Sequence, residues 1–133
     1  MKPPLNAEIF ETPLSTYWLD EDGILNAVSK NTERKVEHYN KSIELFQQLT
    51  QNGGKLCLLV KYGQSMKMGK DVVEFITSEH PKYLKAIAIV TSEPLGSAQT
   101  QTFLKMNFSG FPVCKFPDKK TAKDWLKEVS GKG

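Results

Sequence analysis

The sequence predicts an α/β domain: a mixed sheet of about five strands, opened by an N-terminal β-hairpin, with about four helices packed on the sheet. Three observations carry this expectation. Two uninterrupted apolar runs of strand length, KLCLLVK (55–61) and KAIAIVT (85–91), suit central strands covered on both faces. Segments with apolar residues spaced three and four apart fall before, between and after them. An Asp-Gly step separates two β-prone runs near the start, as in a hairpin turn. Strands that alternate with helices after a hairpin give the order β-β-α-β-α-β-α-β-α.

Each element has its own local reason. In the hairpin, Thr16–Leu19 and Ile24–Ser29 flank Asp20-Glu21-Asp22-Gly23. Val36, Tyr39, Ile43, Phe46 and Leu49 then form one helical stripe. That helix is expected to begin near Asn31 or Thr32 and to stop at Asn52-Gly53-Gly54. After the first central strand, a second helix is expected from about Met66 to Glu79. Met68, Val72, Phe75 and Ile76 face inward along it, and Pro81 closes it. After the next strand Pro94 suits the first turn of a third helix, PLGSAQTQTFLKMNF, which Gly96 and its threonines make the weakest. FPVCKF makes the last strand. Asp118 caps a final helix whose Ala122, Trp125, Leu126 and Val129 share a face.

A chain of 133 residues is long enough to bury a core without metal or disulfide staples, and reads as one domain over 13–130 after an extension over 1–12. Eighteen basic against 15 acidic residues give a net charge of +3, too mild and too evenly spread for nucleic acid. No run approaches the length of a membrane span. The start, MKPPLNAEIFETPL, lacks the apolar stretch of a secretory signal. Cys57 and Cys114 lie inside strand-like runs and read as buried thiols, so a cytoplasmic address is expected.

The stretch GQSMKMGKD (63–71) draws most chemical interest. A nucleotide P-loop needs four residues between its glycines, then lysine and a hydroxyl residue. Five residues separate Gly63 from Gly69 here, and Asp71 stands where the hydroxyl belongs, which excludes that loop. No dinucleotide fingerprint follows a strand, and the central strand ends in Lys61 and Tyr62 in place of a phosphoacceptor aspartate. His38 reads as a surface residue of the first helix. His80 reads as a cation favoured at a helix C-terminus, and neither histidine has metal-ligand spacing. Asp20/Asp22 and Glu33/Glu37 suit a turn and a solvated helix face. Lys61, Gly63, Gln64, Lys67 and Lys70 make a basic loop that could attract an anion or a partner, with Lys67 and Lys70 in the first helical turn. Neither a catalytic constellation nor a cofactor is expected.

The closing segment FPVCKFPDKKTAKDWLKEV, through Pro112, Val113, Phe116, Asp118, Ala122, Trp125 and Leu126, resembles the last strand and helix of SpoIIAA-like domains of the STAS superfamily, anti-sigma-factor-antagonist-like proteins. YWLDEDGILNAV, the long helix, LCLLVKYG and KAIAIVTSEPLGSAQTQTFLKM follow in the order that resemblance requires. It covers nearly all of the chain after about residue 12. It implies a non-enzymatic bacterial regulator that binds another protein, such as an anti-sigma-type kinase. In that superfamily the kinase phosphorylates a serine after the central strand, in an Asp-Ser-x-Gly context. Ser65 stands at about that place, although Gln64 replaces the aspartate and glycine comes only at Gly69. Two roles therefore stand for Ser65: N-cap of the second helix, which the residues favour, and phosphoacceptor, which the resemblance implies. The alternative function is a carrier of a small apolar ligand or lipid. Phe103, Leu104, Met106 and Phe108 crowd the weak third helix, either over a pocket or as core plus a homodimer contact.

Overall fold

The structure, a computed structural model, describes residues 2–30, 33–62 and 68–131. It is a mixed α/β fold on one six-stranded sheet. The strands are β1 (Phe10–Glu11), β2 (Ser15–Leu19), β3 (Leu25–Ser29), β4 (Leu56–Lys61), β5 (Leu84–Val90) and β6 (Val113–Phe116). The helices are α1 (Asn40–Leu49), α2 (Lys70–Glu79), α3 (Ser97–Phe108) and α4 (Lys119–Gly131), and short 3-10 turns cover Val36–Tyr39 and His80–Lys82. Strand order in the sheet equals strand order in the chain. β1, β2 and β3 pair antiparallel, and β3 to β6 run parallel.

That order fixes the layers. Right-handed crossovers between strands that advance in one direction must all pass over the same face. Phe46 of α1, Val72 and Ile76 of α2, and Met106 of α3 accordingly share one buried cluster with Tyr17, Ala27, Leu58, Val60, Ile87, Ile89 and Val113 of the sheet. α4 has no following strand to reach and covers the opposite face. Its Ala122 and Leu126 pack with Ile24, Cys57, Leu59, Ala86, Ala88 and Val90. Because side chains alternate along a strand, Leu58 and Val60 face one layer while Cys57 and Leu59 face the other.

The hairpin, the two central strands and the α4 cap stand as the sequence leads one to expect. Gly23 closes the β2–β3 turn at φ 75°, a conformation that favours glycine. Asp118 Oδ1 accepts from the Thr121 N–H at 2.8 Å, and this bond holds its carboxyl below the usual carboxylate range. Both cysteines are free, Cys57 buried and Cys114 half-buried.

Several boundaries move. β1 adds a sixth strand from within 1–12, the stretch read as an extension, and Phe10 pairs with Tyr17. The first helix does not extend back to Glu33: Lys35 is extended, and the Arg34 backbone bridges Met68 instead of entering a helical turn. Asn31 and Thr32, its expected start, lie outside the described residues. The same bridge precedes α2, which starts at Lys70 with Gly69 as its N-cap residue; Ser65, the cap expected from the sequence, lies outside the described residues. α3 starts at Ser97 after Gly96, leaving Pro94 outside it.

Candidate functional site

A cavity of about 70 Å³ lies between the sheet and α2 and α3. Its floor is two rows of the sheet. Tyr17, Ala27, Val60 and Ile89 are register partners in one; Leu58, Ile87 and Val113 are partners in the other. Ile76 of α2 and Thr102, Phe103 and Met106 of α3 form the roof, with Gln99 beside them. Arg34, Tyr39, Tyr62, Met68 and His80 complete the wall. The void has a plain origin. Ala27 is the smallest residue of its row, and α3 turns threonine, not leucine, toward the sheet at position 102. A single water needs roughly 10–15 Å³ of such space, so the cavity holds several waters or one small molecule.

The polar groups on this apolar wall are few and convergent. Tyr17 Oη and Ser42 Oγ share a hydrogen bond of 3.0 Å, and the Tyr39 hydroxyl points to Met68 Sδ at 3.9 Å. Burial raises the pKa of all three tyrosines, Tyr17, Tyr39 and Tyr62, with Arg34 pulling each of them back, so the phenols stay neutral. Arg34 is 7% exposed, and its guanidinium donates to Ser29 Oγ. Among the described residues no carboxylate pairs with it.

His80 corrects the sequence reading most sharply. It is not a solvated cation at a helix end. The 3-10 turn after α2 folds the ring inward between Phe46 and Tyr39, with centroids 5.6 and 6.1 Å away in edge-on geometry. Burial pushes its pKa down to about 4, with the Glu79 carboxylate opposing only weakly, so the ring is neutral. Its buried Nδ1 has no hydrogen-bond partner among the described residues. His38, by contrast, is half-exposed, its Nδ1 2.8 Å from the Glu33 carbonyl.

The basic loop is only partly visible. Lys61 ends β4 and Lys70 opens α2, both exposed. Gly63, Gln64, Ser65 and Lys67 lie outside the described residues. Of the four crowded residues on α3, Phe103 and Met106 line the cavity and Leu104 is 51% exposed; the Phe108 side chain lies outside the described set. Sequence reasoning passed over Arg34, and the signal was there: it is the sole arginine among 18 basic residues.

Asp20 and Asp22 form a second polar cluster on the other face. Lys123 of α4 lies 3.4 Å from Asp20, 3.1 Å from Glu21 and 2.7 Å from Asp22, and Lys127 lies 3.4 Å from Asp22. These bonds, led by Asp22, raise the Lys123 pKa. The cluster fastens α4 to the hairpin turn. Among the described residues no three His, Cys, Asp or Glu side chains are grouped to hold a metal, and no helix is long and apolar enough to cross a membrane.

Fold and site together define a three-layer α/β domain with an internal, mostly apolar cavity walled by one arginine, three tyrosines and a neutral histidine. The family model described as "Domain of unknown function (DUF7793)" matches residues 17–130. The chain belongs to that family. No curated protein and no solved structure matches the chain.

Proposed function

We propose that this domain is a non-enzymatic, cytoplasmic small-molecule binder whose ligand occupies the cavity under α2 and α3. The observation that carries this reading is an internal space of about 70 Å³ left open by Ala27 and Thr102, with polar groups placed singly on an apolar wall. Pockets of that make-up are typical of ligand sites. Titration with benzyl alcohol, a neutral probe of suitable size, followed by backbone amide NMR tests it. Saturable shifts at Ile89 and Met106 are expected, weakened by Ala27→Val. Absence of any saturable shift up to the solubility limit overturns the reading.

A second reading, a regulatory docking domain of STAS type, draws on the exposed Lys61 and Lys70, which bracket the 63–67 stretch. On it, Ser65 is the phosphoacceptor and a kinase the partner. Charge reversal at Lys61 and Lys70 then weakens partner capture without changing benzyl alcohol binding.

A further inference from the structure

Resting on the cavity-binding reading, we propose that the ligand is a small monocarboxylate on a short apolar body, its carboxylate taken by Arg34. The first support is an imbalance of charge. A guanidinium is charged at any physiological pH, and burying one without a counter-ion costs several kcal/mol. Arg34 is 7% exposed, lines the cavity, and has no carboxylate partner among the described residues. Nor do the internal stretches outside that set, 31–32 and 63–67, contain an acidic residue. Its side-chain hydrogen-bond partners among the described residues, the Ser29 and Tyr39 hydroxyls, are both neutral and leave donors of the five-donor guanidinium over.

The second support is the chemistry of the rest of the wall. Tyr17, Tyr39 and Tyr62 are neutral phenols and His80 is a neutral imidazole, so among the described residues Arg34 is the one charged side chain lining the cavity. A charged ligand group placed there meets Arg34 without an opposing charge from the wall.

The third is a match of size and shape. One cation balances one negative charge, which suits a carboxylate better than a doubly charged phosphate. The planar fork of arginine pairs bidentately with a carboxylate. About 70 Å³ walled mainly by aliphatic and aromatic side chains leaves room for a ring or a short chain behind that head, not for a long acyl tail.

Calorimetric titrations of the full chain with benzoate, benzyl alcohol and inorganic phosphate test the proposal. Benzoate is expected to bind at least tenfold more tightly than benzyl alcohol, and phosphate more weakly than either. Arg34→Gln should abolish the benzoate preference while changing benzyl alcohol affinity less than threefold. Arg34→Lys keeps the charge but not the fork, and should lower the preference at least threefold; this second variant serves if the first does not fold. Benzoate binding no tighter than benzyl alcohol overturns the proposal and leaves the cavity reading standing. Failure of both organic probes overturns both. Phosphate binding as tightly as benzoate overturns the apolar body, and an undiminished preference in either variant overturns the role of Arg34.

Discussion

On the face covered by α4 the sheet presents Cys57, Ala86 and Ala88, and one helix closes over them with Ala122 and Leu126 at 0% exposure. On the face under α1, α2 and α3 it presents Tyr17, Ile87 and Ile89, and three helices enclose a void with Arg34 and His80 in its wall. Small residues let α4 approach the sheet closely, and Lys123 pins it to the hairpin turn at 2.7 Å from Asp22. Larger side chains on the other face hold the helices off and leave gaps between them. The two layers teach a division of labour: the layer under α4 closes on small residues and ties the last helix to the hairpin, and the other keeps an internal space.

The largest effect should come from opening the layer under α4. Leu126→Ala is expected to cost about 2–5 kcal/mol, read by urea unfolding, because little around α4 can relax into the hole. A cost under 1 kcal/mol would remove the contrast between layers. Next is acid. The His80 pKa falls from 6.5 to about 4 on folding, so the unfolded chain binds the extra proton between those values. Its contribution is complete above pH 6.5, fades as pH falls, and is lost below about 4, about 3 kcal/mol in all. His80→Leu should flatten unfolding free energy against pH over that window, and an unchanged slope would place the charge change elsewhere.

Overfilling should then separate the layers by sign. Ala88→Leu has no space to enter and should cost about 1–3 kcal/mol. Ala27→Val grows into the cavity and should leave the melting temperature unchanged or raised. Equal destabilisation by both would show the layers to be alike. The smallest effect is that of Lys123→Met, about 1 kcal/mol, because Glu21 and Asp22 are partly solvated and the buried Asp20 keeps its bonds from the Asp22 and Ile24 N–H groups and Asn26 Nδ2. High salt should narrow the difference from wild type, and a salt-independent loss would point to packing by the lysine stem.

What could be read in advance follows this division. α4 was legible because its cap and stripe are local: Asp118 bonds three residues ahead, and Ala122, Trp125, Leu126 and Val129 recur at helical spacing. β4 and β5 were legible as continuous apolar runs. β1 was not, because two residues carry no pattern and only pairing with β2 makes them a strand. The late starts of α1 and α2 were hidden because the Arg34–Met68 bridge is a tertiary contact that overrides two local helix signals. The cavity was least legible of all. It is an absence assembled from five strands, two helices and several loops, and at Ala27 and Thr102 nothing local distinguishes a missing methyl group from an ordinary small residue.

The ion cluster at Lys123 has a consequence for the order of folding. From β3 onward each strand lies beside its sequence neighbour, so the sheet can grow one βα unit at a time with only short loops to close. Lys123 reaches back to Glu21 across 102 positions, joining the last helix to the first tight turn. Closing a loop that long costs chain entropy, so the bond is expected to form after the intervening units are stacked. It acts as a buckle on a finished belt, slowing its opening and doing little to speed its winding.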